Sequence, residues 1–125
     1  MTKILIVDDE CDVRESLSDA LTDAGFQVAA APDGAEALIL IAEQAFDLVL
    51  LDMMMPGIDG IQLIRVLDRI APGLPLIGLT GYLGKGYMSH SAAYGITCLS
   101  KPVPIADLIR EINETVALRK NAKAG

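Results

Sequence analysis

The sequence predicts an α/β fold, with a doubly wound sheet of five parallel strands and helices on both faces. Five short aliphatic runs alternate along the chain with segments of helical periodicity, which is the first observation behind this prediction. The second is that each run is continuously apolar, which is typical of parallel strands buried on both faces. Right-handed crossovers between such strands place a layer of helices on each side of the sheet.

The first half of the chain contains three predicted strands and two predicted helices. The strand runs are 4–7, 27–31 and 47–51. Gly25 stops the first helix, and Asp33 with Glu36 forms a capping-box-like start for the second. The apolar positions of these helices are Val13, Leu17, Ala20, Leu21 and Ala24, followed by Ala37, Leu38, Ile41 and Ala45.

The second half contains two more strand runs, 76–79 and 96–100. A turn at 55–57 leads to the third helix, and Pro104 suits the first turn of the last one. The apolar positions of these helices are Ile61, Ile64 and Leu67, followed by Ile105, Leu108, Ile109, Ile112 and Val116. Glycines weaken any helix between 81 and 95, although 88–94 could form one.

The composition favours a single domain over 1–125, with a core over about 3–118 and a frayed polar tail over 119–125. The net charge of -7 argues against direct binding to nucleic acid or to anionic membranes. The aliphatic runs are too short to cross a bilayer, and acidic residues follow the first run too closely for a signal peptide. We therefore expect a cytoplasmic protein in which Cys11 and Cys98 are free thiols.

Polar side chains follow four of the five predicted strands. They are Asp8 and Asp9, Asp52, Thr80 and Lys101. Ligands of a doubly wound sheet bind beyond the carboxyl ends of its strands, which parallel strands bring to one edge. An isolated Asp at a strand end is usually only a helix cap, but four such positions from four strands make coincidence a poor explanation. We therefore expect three carboxylates, a hydroxyl and an ammonium group in one crevice.

Three carboxylates held this closely repel one another, and Lys101 supplies only one opposing charge. Such a cluster either raises the pKa of a carboxyl group or binds a cation. Oxygen ligands with open positions favour Mg²⁺, which also bridges readily to phosphate. A carboxylate nucleophile beside Mg²⁺, a hydroxyl donor and a lysine is the set of groups that phosphoryl transfer needs.

At these positions the sequence resembles the receiver domains of two-component response regulators, over about residues 3–118. The motifs that carry the resemblance are Ile4-Leu5-Ile6-Val7-Asp8-Asp9-Glu10, Leu50-Leu51-Asp52-Met53-Met54-Met55-Pro56-Gly57-Ile58-Asp59-Gly60, Leu79-Thr80-Gly81 and Ser100-Lys101-Pro102. The second motif is highly specific. The resemblance implies the flavodoxin-like strand order 2-1-3-4-5.

The resemblance implies that Asp52 accepts a phosphoryl group from the phosphohistidine of a sensor kinase. It implies that Asp9, Asp52 and the backbone carbonyl of Met54 bind Mg²⁺ directly, while Asp8 acts through a water. The expected protein is a signalling switch rather than an enzyme. Its expected partners are a sensor histidine kinase or phosphotransfer protein and a downstream effector, and it is expected to be a monomer or a phosphorylation-dependent dimer.

The resemblance also implies how the phosphoryl group is read. Thr80 hydrogen-bonds a phosphoryl oxygen and draws its loop inward, and Lys101 pairs with the phosphate. The bond between Lys101 and Pro102 is expected to be cis. The charged tail is compatible both with a stand-alone receiver and with the start of a linker to a further domain.

Three features depart from the family pattern. Family members commonly carry Tyr or Phe three residues before the lysine, where this chain has Cys98, which is too small to act as a rotamer switch. We hypothesise that Tyr82, or else Tyr94, takes over this gating role, or that the output uses another face. Met54 and Tyr82 stand at positions that flank the path of the attacking water in the family, which predicts slow self-dephosphorylation. The glycines of 81–86 predict a mobile loop, although a merely variable surface loop fits equally well.

Two other classes of function compete with the signalling receiver. A hydrolase with an aspartate nucleophile, of the haloacid-dehalogenase type, shares the chemistry but requires a second Asp where this chain has Met54. A pseudo-receiver that serves only as a protein-interaction scaffold would not need the complete set of polar groups. Incubation with acetyl phosphate or beryllofluoride in the presence of Mg²⁺ separates the three classes.

Overall fold

The structure is a computed structural model, and it describes residues 1–53, 60–81 and 96–124. Several sequence predictions fall outside these residues. They are the turn at 55–57, the helix over 88–94, the glycine-rich loop beyond Gly81, and the roles of Met54, Tyr82 and Tyr94.

Within the described residues, five strands and four helices follow one another along the chain. The strands are β1 (Lys3–Val7), β2 (Gln27–Ala31), β3 (Leu48–Asp52), β4 (Leu76–Thr80) and β5 (Thr97–Ser100). The helices are α1 (Cys11–Asp23), α2 (Gly34–Glu43), α3 (Gly60–Ile70) and α4 (Ile105–Ala124). All strands pair in parallel in the order β2-β1-β3-β4-β5, which confirms the predicted fold class and strand order. None of the described helices is both long enough and apolar enough to span a membrane.

The sheet separates two apolar layers, because successive side chains of a strand point to opposite faces. Ile4 and Ile6 of β1 belong to the layer covered by α1 and α4. Leu5 and Val7 belong to the layer covered by α2 and α3. The burial of both faces explains why the strands are continuously apolar, and each square ångström buried contributes about 25 cal/mol.

Local sequence signals set the ends of the first two helices. Asp33 caps α2, since its Oδ1 accepts a hydrogen bond from the backbone N–H of Glu36 at 2.8 Å, as the capping-box pattern predicted. The chain leaves α1 through Gly25, whose φ of 98° lies in the left-handed region that glycine adopts without strain.

The structure differs from the sequence prediction at several element ends. Asp52 and Thr80 are the last residues of β3 and β4 rather than the first residues after them, because both still pair with a neighbouring strand. α2 ends before Ala45, which therefore does not extend its apolar face. Ile105 opens α4 and is 41% exposed instead of buried. α4 continues to Ala124, so residues 119–124 of the predicted frayed tail are helical; most of them have high helix propensity.

A close contact beneath the carboxyl edge of the sheet involves Gly78 in the middle of β4, Cys98 of β5 and Met53, which follows β3. Gly78 of β4 lies opposite Cys98 of β5. A Cβ atom at Gly78 would lie 2.9 Å from Sδ of Met53 and 3.4 Å from Sγ of Cys98. Met53 is fully buried, so its sulfur has no open space into which to move. Glycine is therefore required at position 78 as long as Met53 keeps this position.

Gly78→Ala is expected to lower the free energy of unfolding by about 1–3 kcal/mol, because the added methyl group overpacks this layer. Chemical denaturation measures the loss, with Gly81→Ala as the control, since a Cβ atom there meets nothing within 4 Å. Met53→Ala makes room for the methyl group, so the double variant should lose less stability than the sum of the single variants. Additive losses would show that Met53 does not impose the glycine.

Candidate functional site

Two adjacent carboxylates follow β1 at the carboxyl edge of the sheet. Asp8 is 1% exposed, and its Oδ1 accepts a hydrogen bond from the backbone N–H of Glu10 at 2.9 Å. The N–H of Asp8 donates to the carbonyl of Ala31 at 3.2 Å, which extends the pairing of β1 with β2 by one residue. Asp9 is exposed. The pair thus offers one carboxylate held inside the protein and one open to solvent.

The third carboxylate comes from the end of β3. Asp52 is 5% exposed, and the N–H of the following residue, Met53, donates to the carbonyl of Leu79 at 2.9 Å. Carboxylate oxygens of Asp8, Asp9 and Asp52 all lie within 4.8 Å of one another. The parallel sheet therefore brings together three carboxylates from two strands that are separated by about forty residues in sequence.

The hydroxyl and ammonium groups come from the ends of β4 and β5. Thr80 is completely buried, and its carbonyl accepts a hydrogen bond from the N–H of Lys101 at 2.8 Å. Lys101 Nζ lies 3.4 Å from Oδ2 of Asp8 and 3.7 Å from Oδ2 of Asp52. The peptide bond between Lys101 and Pro102 is cis, the isomer that the resemblance implies.

The charges of this group do not cancel. Among the described residues, three carboxylates share the ammonium group of Lys101, and the guanidinium of Arg14 bonds only to the backbone carbonyl of Asp8, so the group keeps a net negative charge. Lys101 pairs with Asp8 and Asp52, whereas the carboxylate of Asp9 has no ion-pair partner in the described part of the chain. Hard oxygen ligands with a net negative charge fit a small divalent cation such as Mg²⁺. The donor set therefore fits the metal that the resemblance implies.

Cys98 lies outside this group of charges. It is buried in β5 beside Gly78, in the apolar layer beneath the carboxyl edge. The backbone ligand expected from Met54 and the gating role expected of Tyr82 concern residues outside the described ranges.

Sequence reasoning missed one contact at this edge. Nη1 of Arg14 donates a hydrogen bond of 2.7 Å to the backbone carbonyl of Asp8. The helical periodicity of α1 predicts only which of its residues face the apolar layer. The signal that could have revealed the contact is the position of Arg14 in the first turn of α1, which places it next to the strand end that the helix follows.

The chain matches the family described as the response regulator receiver domain over residues 4–113. It belongs to this family. The receiver domain is 36% identical over 115 residues to the response regulator receiver protein CpdR of Brucella abortus, covering 91% of this chain and 96% of that protein. It is 32% identical over 120 residues to the sporulation initiation phosphotransferase F of Bacillus subtilis, covering 95% and 97% of the two chains.

Solved receiver structures are similar to this chain in fold. A response regulator receiver domain protein from Clostridium thermocellum has a TM-score of 0.92 and 30% identity, covering 98% of this chain and 99% of that one. A CheY-like receiver domain protein from Methanospirillum hungatei has a TM-score of 0.93 and 29% identity, covering 98% of both chains. The receiver domain is accordingly a phosphorylation-dependent signalling switch and not a classical enzyme. Its family interacts with histidine kinases or phosphotransfer proteins and with effector domains.

Asp9→Asn is expected to stabilise the metal-free protein and to weaken the binding of Mg²⁺. The substitution removes a charge that repels Asp8 and Asp52, so the free energy of unfolding should rise by up to about 1 kcal/mol. Loss of an anionic oxygen ligand should weaken Mg²⁺ binding by on the order of tenfold.

Isothermal titration calorimetry with Mg²⁺ and thermal unfolding without it measure the two effects of Asp9→Asn. The exposed Asp19 of α1 provides the control, and Asp19→Asn should change neither quantity. A destabilised Asp9→Asn protein with unchanged affinity for Mg²⁺ would contradict the assignment of Asp9 to the charge cluster.

Proposed function

We propose that this receiver domain is phosphorylated on its own Asp52. The proposed donor is the phosphohistidine of a sensor histidine kinase or of a phosphotransfer protein. The supporting observation is the meeting of three carboxylates within 4.8 Å of one another beside Nζ of Lys101. β3 is the central strand of the sheet. Asp52 therefore has the groups of β1 on one side and those of β4 and β5 on the other.

In the proposed step, a carboxylate oxygen of Asp52 forms a bond to phosphorus while the phosphorus–nitrogen bond of the donor breaks, and the nitrogen keeps the electron pair. Lys101 already lies within ion-pair distance of Asp8 and Asp52, so its ammonium group can turn to the phosphoryl oxygens. Bound Mg²⁺ supplies neutralisation of the charge on the transferring group. Its proposed ligands are Asp9, Asp52 and the carbonyl of Met54, with Asp8 acting through a water.

Thr80 is proposed to detect phosphorylation through a hydrogen bond from its hydroxyl to a phosphoryl oxygen. Phosphorylation adds a charge of roughly -1.5 to -2 and three acceptor oxygens. It stabilises the conformation that brings the Thr80 hydroxyl and the Lys101 ammonium closest to those oxygens. A change from mostly inactive to mostly active needs about 5.5 kcal/mol of differential interaction, which a few charge-assisted hydrogen bonds can supply.

The proposed route from Thr80 to the partner surface differs from the common pattern of the family. Position 98 holds a small cysteine, which is buried beside Gly78. It therefore offers no aromatic side chain that could change rotamer together with a movement of Thr80. We assign the gating role to Tyr82, with Tyr94 or another face of the domain as the alternatives.

The proposed partners are a sensor histidine kinase or phosphotransfer protein on the input side and an effector protein on the output side. The domain is proposed to act in the cytoplasm as one receiver unit, either as a monomer or as a phosphorylation-dependent dimer. The net charge of -7 supports a role without direct contact to nucleic acid or membranes.

Asp52→Asn is expected to abolish the uptake of a phosphoryl group, because an amide is no substitute for a carboxylate nucleophile. Intact-mass spectrometry after incubation with acetyl phosphate and Mg²⁺ measures the uptake. Asp68 is an exposed carboxylate on α3, so Asp68→Asn is the matched control and should be phosphorylated like the wild type. Undiminished phosphorylation of the Asp52→Asn protein would contradict the proposal.

The same incubation distinguishes the alternative functions. A receiver keeps one phosphoryl group, or one beryllofluoride, per molecule. A hydrolase with an aspartate nucleophile releases many phosphates per molecule, and a pure scaffold takes up neither group.

We expect the phosphorylated protein to lose its phosphoryl group slowly, because the family positions that flank the path of the attacking water are occupied in this sequence by the apolar Met54 and the bulky Tyr82. Met54→Asn combined with Tyr82→Ala should shorten the lifetime several-fold by admitting and orienting water. Intact-mass spectrometry at intervals after removal of acetyl phosphate measures the decay, with Asp68→Asn as the control. A wild-type lifetime of only seconds would be incompatible with this shielding.

A further inference from the structure

Arg14 makes a contact at the carboxyl edge that neither the charge cluster nor the core requires. Its guanidinium Nη1 donates a hydrogen bond of 2.7 Å to the backbone carbonyl of Asp8. The side chain is partly buried. An ion pair with a carboxylate would give a guanidinium group more Coulomb energy, yet the hydrogen bond of Arg14 goes to a main-chain oxygen beside the carboxylate cluster.

This contact completes a ring of hydrogen bonds around Asp9. Oδ1 of Asp8 accepts from the N–H of Glu10 at 2.9 Å, and the carbonyl of Glu10 accepts from the N–H of Arg14 at 3.0 Å. The guanidinium of Arg14 then returns to the carbonyl of Asp8. Each of the three residues is bonded to the other two, and Asp9 is the one residue between Asp8 and Glu10.

The start of α1 has no side-chain cap from its own N-cap residue. Glu10 is the N-cap residue, but its side chain makes no capping hydrogen bond. The start of the helix is instead tied to the end of β1 through Asp8 and Arg14. The direction of the peptide between Asp8 and Asp9 therefore depends on these bonds, because a hydrogen-bonded carbonyl fixes the plane of the peptide to which it belongs.

We propose that Arg14 is a positioning residue for the metal site: it fixes the peptide between Asp8 and Asp9 and thereby holds the exposed Asp9 carboxylate toward Asp52. The inference rests on the proposed function, in which Asp9 is a ligand of Mg²⁺. Asp8 is held by its burial and by its own hydrogen bonds, whereas Asp9 is exposed and takes its direction from the backbone.

The direction in which Mg²⁺ affinity changes when Arg14 is replaced distinguishes a positioning role from a purely electrostatic one. A guanidinium charge near the cluster repels a cation, so its removal alone should tighten Mg²⁺ binding. Loss of the positioning bond should do the opposite, because Asp9 would no longer be held in place for the metal. A role limited to stability would leave the affinity for Mg²⁺ unchanged.

The experiment compares Arg14→Met, Arg14→Lys and the control Arg65→Met, which removes an exposed arginine of α3. Calorimetric titration with Mg²⁺ is performed on the full chain below its thermal midpoint, and thermal unfolding without Mg²⁺ is recorded in parallel. Arg14→Met should weaken Mg²⁺ binding by about tenfold. Arg14→Lys should recover part of that loss, since lysine keeps a donor, and Arg65→Met should bind Mg²⁺ like the wild type.

A thermodynamic cycle with Asp9→Asn makes the test specific. If Arg14 acts through Asp9, Arg14→Met should have little further effect on Mg²⁺ affinity once Asp9 is replaced. Unchanged or tighter Mg²⁺ binding by Arg14→Met, or additive losses in the double variant, would overturn the positioning role. If the wild type itself neither binds Mg²⁺ nor accepts a phosphoryl group, the proposed function fails together with the inference. Normal wild-type binding combined with an unaffected Arg14→Met protein refutes only the role of Arg14.

Discussion

Three carboxylates share one edge of the sheet, and Lys101 is the counter-charge that two of them have in common. At an effective dielectric constant of about 20, two like charges 4.8 Å apart repel by about 3 kcal/mol, and an exposed carboxylate such as Asp9, which water screens, contributes only about 1 kcal/mol. The nearly complete burial of Asp8 and Asp52 keeps water from screening them fully. The cluster is therefore held together against its own repulsion, which explains why a cation would be favoured at this edge.

Backbone pairing supplies the force that resists this repulsion. The N–H groups of Asp8, Met53 and Lys101 each donate to the strand beside them, one residue beyond the regular pairing of β1, β3 and β5. The charged side chains thus cannot separate by fraying of the strand ends. The two apolar layers on either side of the sheet stabilise the strands that make these bonds.

The same edge is connected to the apolar layer below it through Met53, the neighbour of Asp52. Its sulfur lies over Gly78, and Cys98 approaches the same point from β5. A large aromatic side chain at position 98 would compete with Met53 for this space. The small Cys98 and Gly78 therefore both leave room for the side chain of Met53. Because Cys98 stands where family members commonly carry an aromatic residue, a movement of Thr80 must reach the surface by a different route.

The sequence by itself determined the parallel α/β class, the strand order through the family motifs, and the polar residues at the strand ends. These follow from local patterns: continuous apolar runs, helix signals such as Asp33, and the residue that comes directly after each run. Local patterns predicted the element ends less accurately. Ile105 is exposed and α4 continues to Ala124, because the length of a helix depends on packing as well as on propensity.

Only the tertiary structure decided which atoms meet. Asp8 and Asp9 are identical side chains next to each other in the chain, yet one is buried beside Lys101 and the other is exposed. The bond from Arg14 to the carbonyl of Asp8 is likewise invisible to periodicity. The physical reason is that burial, ion pairing and main-chain hydrogen bonds at this edge arise only when β1, β3, β5 and α1 are assembled, and no single segment contains that information.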